Sequence, residues 1–255
     1  MNLYLLGGGL KNNFDENESK ILEKIVNSTG ARNVVLVPTA STLPVGEVSK
    51  MYVPFLKNYG VETIYTPRIS SKSDAEKPEY LTQIEEADLV LFSGGDQNRL
   101  VSVLEGTQYL NRIKERFTKD LSIVGNSAGA MAMPNPMITP DSKTGNLKNV
   151  PGLGILNSEG VYSLGVDTHL FAKSRIPRQE RDITYLLNPI NGLNTIIGIG
   201  EDTALFVSTD SKDAKVVGNK EILINQRLLD EDGSIYVKIK RFVSGQELDL
   251  NEYLS

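Results

Sequence analysis

Three short segments of this chain carry residue types that do chemistry together: Gly125-Asn126-Ser127-Ala128-Gly129, the only histidine, His169, and Gly200-Glu201-Asp202. The first fits the nucleophile-elbow pattern, glycine-x-serine-x-glycine. A strand that turns at once into a helix strains its central residue, and small flanking residues avoid a clash there. The Ser127 hydroxyl then stands clear of the sheet at a helix start, and the Ala128 amide points to the same spot, as an oxyanion donor must. The competing reading is a tight turn in which Ser127 only caps the helix. His169 is the one imidazole available as a base. Lys173, Arg175, Arg178 and Arg181 follow it with few acids between, a cluster suited to binding carboxylates; taken singly, each also fits a solvated helix face. A serine–histidine pair needs an acid to hold the imidazole tautomer. Glu201 falls at a strand end, and Asp167 and Asp202 compete with it for that role. With Glu201 the chain order is Ser, His, Glu, which differs from the α/β-hydrolase order. Ser93-Gly94-Gly95-Asp96-Gln97 adds a backbone that can approach a ligand at Gly95, a second oxyanion amide there, and at Gln97 a side chain able to bind a substrate amide or carboxylate.

The elements that position these residues alternate. Apolar runs at 3–6, 34–37, 61–65, 87–92 and 121–124 read as strands, and helical patterns cover about 17–28, 45–59, 80–86 and 98–119, the last interrupted near Gly106. Runs that are apolar at every residue, such as Val34-Val35-Leu36-Val37, imply burial on both faces, as in a parallel sheet. Strand–helix alternation implies right-handed crossovers and an α/β fold with a doubly wound, mostly parallel sheet. Four strands end in small or polar residues, at 7–9, 38–41, 93–97 and 125–129, and belong on one sheet edge, where ligands bind in such folds. Residues 135–151 read as a long loop. Runs 195–199 and 204–207 read as strands, and 221–229 with 234–243 as a C-terminal antiparallel β-hairpin. The whole of 1–255 is read as a single domain.

Composition narrows the functional classes. Of 255 residues, 40% are hydrophobic and 23% charged, an ordinary globular balance. Cys is absent, which excludes disulfides, thiolate metal sites and a Cys nucleophile; one His makes a multi-histidine zinc site untenable. A net charge of −5 argues against a general nucleic-acid binder. No apolar run is long enough for a membrane span, and the start has no basic region of a signal peptide, so a cytoplasmic protein is expected. Gly7-Gly8-Gly9 lacks the spacing of a phosphate loop and is read as room for neighbouring loops.

Together, Gly94-Gly95-Asp96-Gln97, Gly125 to Ala130, Asp167-Thr168-His169 with its basic followers, and Gly200 to Ala204 resemble cyanophycinase and its relatives. That peptidase family also contains aspartyl dipeptidase (peptidase E). The resemblance spans roughly residues 1–225. It implies a flavodoxin-like fold related to class I glutamine amidotransferases, with Ser in place of Cys. It implies catalytic Ser127, His169 and Glu201, oxyanion amides at Gly95 and Ala128, and substrate binding by Asp96, Gln97, Asp167, Lys173, Arg175 and Arg178. The activity implied is serine-type hydrolysis of aspartyl or β-aspartyl bonds, as in β-Asp-Arg polymer, without metal or cofactor, by a homodimer. An aspartyl or isoaspartyl dipeptidase without polymer activity is the nearest alternative, and a non-catalytic binding protein on the same fold is the alternative of another class. Asn126 stands where the family usually has Thr, Thr168 where it has Gln, and Leu170-Phe171-Ala172 where Phe and Gln are expected; Lys173 replaces an Arg. These departures bear on the substrate more than on the fold.

Overall fold

The computed structural model describes residues 2–9, 16–156, 164–171, 177–208 and 213–253. Strands β1 (Asn2–Leu6), β2 (Asn33–Val37), β3 (Thr63–Tyr65), β4 (Leu89–Phe92) and β5 (Ser122–Asn126) pair in parallel in the order β1-β5-β4-β2-β3. Helices α1 (Glu16–Thr29), α2 (Val45–Asn58), α3 (Pro78–Glu86), α4 (Gln97–Leu104) and α5 (Gln108–Phe117) connect them. Strand β2 shows why its sequence is apolar throughout. Val34 and Leu36 face one core with Ile21, Ile25, Val48 and Leu56 of α1 and α2, while Val35 and Val37 face a second core with residues of α3, α4 and α5. Alternate side chains of a strand point to opposite faces, and both faces are covered here.

Beyond β1 the sheet becomes antiparallel. β10 (Thr203–Ser208) pairs with β1, β11 (Asp213–Gly218) with β10, and β14 (Glu247–Asp249) with β11, which completes eight strands. The fold is therefore α/β with a large mixed sheet, mostly parallel in its β1–β5 part. A second sheet of four strands has the order β13-β12-β9-β8, with β8 (Leu164–Thr168) parallel to β9 (Thr195–Ile199), and β12 (Glu221–Leu229) antiparallel to both β9 and β13 (Ile235–Val243). Its Val166, Ile197, Ile199, Ile222 and Ile224 share one core with Leu3, Leu5 and Phe92 of the first sheet. The strand ends carrying His169 and Glu201 thus come from a separate sheet laid against the first, where the sequence suggested one sheet.

Two further local readings change. Residues 135–151 are not a structureless loop: β6 (Met137–Pro140) and β7 (Leu147–Val150) form an antiparallel pair. Met137, Ile138 and Thr139 are buried, and the Asp141 carboxylate accepts the Lys143 and Thr144 amides in the turn. The predicted helix at 98–119 is two helices. Gly106, with φ 75°, ends one, and Thr107 caps the next by accepting the Leu110 N–H. After β5 comes a single buried turn, α6 (Ala128–Met131), and α7 (Pro177–Leu187) packs on the second sheet.

The glycines of the elbow motif set how closely α6 packs. A Cβ at Gly129 would lie 2.5 Å from the Phe92 carbonyl oxygen, and at Gly46 it would meet nothing within 4 Å. Gly129→Ala is expected to lower the urea-unfolding free energy by about 1–3 kcal/mol. Gly46→Ala, in the open first turn of α2, is expected to raise it by about 0.4–1 kcal/mol.

Candidate active site

The site forms where three strand ends meet the end of β1. Ser127 follows β5, His169 follows β8 and Glu201 lies two residues after β9. Three consecutive carbonyls of one segment hold them. Leu6 O accepts the Ser127 N–H at 3.0 Å, Gly7 O the His169 N–H at 2.9 Å, and Gly8 O the N–H of Asp202, next to Glu201, at 3.1 Å. Ser127, His169 and Asp202 are the non-glycine residues with positive φ among the described residues, at 52°, 57° and 54°. Such strained backbones persist only where the surroundings fix them, and here each strained residue is bonded to the same segment.

Ser127 Oγ lies 2.8 Å from His169 Nε2, and His169 Nδ1 lies 2.8 Å from Glu201 Oε1. With Nδ1–H donated to the carboxylate, Nε2 is free to accept the hydroxyl proton. The His169 and Glu201 side chains are 18% and 27% exposed, so the relay is sheltered yet open at one side. Of the three acids weighed from sequence, Glu201 bonds the imidazole. Gly8 supplies the room: its φ is 86°, and a Cβ there would lie 2.4 Å from His169 Cε1 and Nε2. Gly94 runs alongside the hydroxyl, where a Cβ would be 3.4 Å from Ser127 Cβ. Gly95, with φ 145°, packs against the loop at 38–41, where a Cβ on it would lie 2.1 Å from Ala40 O, and it lines the same cleft as Ser127.

The residues expected at the substrate divide. Asp96 is the N-cap of α4 and accepts the Asn98 N–H at 2.8 Å. Gln97 turns toward Thr139 of β6, with Nε2 3.4 Å from its hydroxyl. Asp167, expected to face substrate, is instead fully buried; Arg178 pairs with its carboxylate and Arg181 lies 3.5 Å from it. Arg178 also donates to the Thr168 carbonyl, directly before His169. The Asp167–Arg178 pair therefore ties α7 to the end of β8 and fixes the peptide that leads into His169. Lys173 and Arg175 lie outside the described residues. Sequence reasoning missed Asp182 of α7, buried in the same cluster with no hydrogen-bond partner for either carboxyl oxygen among the described residues. Burial, then the Asp167 carboxylate, hold its carboxyl well above the usual range. It also missed Tyr52, whose hydroxyl accepts from Asn126 Nδ2 at 3.0 Å and ties the elbow to α2; an isolated tyrosine on a helix gives no sequence signal. Among the described residues no three His, Asp or Glu side chains gather as a metal site, and no helix is long and apolar enough to cross a membrane.

A hydroxyl, an imidazole and a carboxylate in line on an elbow are the equipment of a hydrolase. Residues 3–215 match the model of Peptidase family S51, and the chain belongs to that family. It is 26% identical over 219 residues to a cyanophycinase of Synechococcus elongatus, covering 80% of this chain and 62% of that protein. It is 27% identical over 214 residues to a cyanophycinase of Geminocystis herdmanii, covering 80% and 74%. The chain thus spans less than two thirds of the length of the Synechococcus relative. Among solved structures, a peptidase from an acI-B1 Actinobacterium shares the fold with a TM-score of 0.75 at 22% identity, covering 97% of this chain and 96% of that one. A candidate peptidase E from Listeria monocytogenes EGD-e gives a TM-score of 0.61 at 19% identity, covering 86% and 98%.

The room at Gly8 and the burial of Asp182 can each be tested. Gly8→Ala is expected to push the imidazole aside and slow fluorophosphonate labelling of Ser127 by about 10²-fold, read by mass spectrometry. For Asp182 the sign is set by its raised native pKa. Above the ordinary carboxylate pKa the unfolded chain ionises while the native carboxyl stays protonated, so the group lowers stability as pH rises. Asp182→Asn is expected to raise Tm at pH 8, with the gain shrinking toward pH 4 in calorimetric scans.

Proposed function

We propose that this chain is a serine-type peptidase that hydrolyses aspartyl or β-aspartyl bonds. The observation that carries the reading is the continuous relay Ser127 Oγ–His169 Nε2 and His169 Nδ1–Glu201 Oε1, both 2.8 Å. In this reading Ser127 attacks the scissile carbonyl as His169 takes its proton. Glu201 holds the tautomer and stabilises the imidazolium. The amides of Gly95 and Ala128 stabilise the oxyanion. His169 then protonates the leaving amine, and a water deprotonated by His169 releases the acyl group. Lys173 and Arg175 take the substrate carboxylates, while Arg178 orders the base through Asp167 and Thr168. The fold reads as flavodoxin-like, akin to class I glutamine amidotransferases, with a C-terminal hairpin; the shared core of the two sheets supports one domain. Family membership and the cyanophycinase relatives support the substrate class.

The second reading is a dipeptidase acting on aspartyl or isoaspartyl peptides without polymer cleavage. Asn126, held by Tyr52, stands directly before Ser127 where the resembled family usually has Thr. The test is hydrolysis of β-Asp-Arg polymer against α- and β-aspartyl dipeptides. Polymer cleavage gives the cyanophycinase reading, and dipeptide cleavage alone gives the narrower one. In either case Ser127→Ala is expected to lower kcat/KM by at least about 10³-fold, and Glu201→Gln to lower kcat by up to about 10⁴-fold. Turnover that survives in Ser127→Ala overturns the mechanism.

A further inference from the structure

Beside Ser127 and His169 opens a cleft of about 330 Å³, within the range of roughly 300–1,000 Å³ for small-ligand sites. Its far wall is α2 and the residues leading into it: Leu43, Val48, Met51 and Tyr52. Val48 and Tyr52 are rooted in the core, Met51 is half-buried, and Leu43 is 53% exposed at the mouth. No charged side chain lines the cleft among the described residues. The acid of this helix turn, Glu47, is exposed and paired with Lys50 at 2.7 Å, so it does not supply a counter-charge to the cleft.

The wall has a fixed position. Tyr52 is tied through its hydroxyl to Asn126, one residue before Ser127. The apolar surface and the nucleophile therefore keep a constant separation, as a specificity pocket requires. An apolar side chain seated here gains by leaving water. Among the described residues the polar part of the lining is neutral, with Ser41, Thr42, Ser93 and Asn126, so a guanidinium or carboxylate would lose hydration without gaining a counter-charge from them.

We propose that this cleft is a specificity subsite for an uncharged apolar side chain. The substrate residue seated on the α2 side of Ser127 is then of the Leu, Met or Phe type rather than Arg or Asp. The inference deepens the serine-peptidase reading and rests on it. It separates the two ends of the substrate: an acidic group bound by the basic residues after His169, and an apolar neighbour bound by α2.

Covalent probes test the subsite without a peptide substrate. The purified chain is treated with two fluorophosphonates of equal length, one ending in an alkyl group and one in a guanidinium, and the rates of Ser127 modification are compared. The alkyl probe is expected to react at least about tenfold faster. Met51→Glu, and separately Leu43→Glu at the exposed mouth, are expected to narrow that ratio at least about tenfold, with circular dichroism to show that each variant is folded. Equal rates in the unaltered chain, or a ratio unmoved by both variants, overturn the subsite and leave the serine-hydrolase reading standing. Absence of Ser127 labelling by either probe overturns both.

Discussion

The backbone of Leu6, Gly7 and Gly8 is the constraint on which the rest of the site depends. Three successive carbonyls at the end of β1 accept the amides of Ser127, His169 and Asp202. These three residues hold disfavoured positive φ values, and each is stabilised by a bond to the same short segment. Because β1 lies between β5 and β10, it is in place to meet the elbow on one side and the residues before β10 on the other. Its glycine at position 8 then leaves space for the imidazole. The backbones of Ser127, His169 and Asp202 are therefore held by hydrogen bonds to the last residue of β1 and the two glycines after it.

The second sheet explains how two distant parts of the chain reach this point. β8 and β9 end side by side in parallel register, with Thr168 opposite Ile199. The imidazole and carboxylate that follow them thus start from neighbouring strand ends. Helix α7 holds the first of these ends through Arg178, Asp167 and the Thr168 carbonyl. Removing Asp167 would leave the largely buried Arg178 guanidinium without its carboxylate, a change that usually costs more than the pair contributes.

The elbow, the histidine and Glu201 were legible because chemistry restricts their types: one His, no Cys, and a glycine-flanked Ser after an apolar strand. The β1–β5 framework was legible because strands such as β2 and β4 carry apolar residues on both faces. The second sheet was not: 195–199 and 221–229 read as strands, but nothing in their sequence says that 195–199 pairs with 222–226 and 164–168 rather than joining the first sheet. The strands at 137–140 and 147–150 were hidden for another reason: each is four residues long and embedded among Pro, Gly and Asn, which dominate a local reading. Asp167 and Arg178 were read by type as ligands of substrate; their burial against each other depends on where α7 lands, which no spacing reveals.

The chain order of these parts has a consequence for assembly during synthesis. The parallel framework and the elbow are complete by residue 131, whereas the imidazole and the carboxylate beside it arrive at 169 and 201, and β10 pairs with β1 only afterwards. Chains emerge and fold from the N-terminal side first. A nascent chain thus forms the Ser127 turn some 40 to 70 residues of elongation before His169 and Glu201 are added. The order of the segments thus builds the Ser127 turn first and brings His169 and Glu201 beside it last.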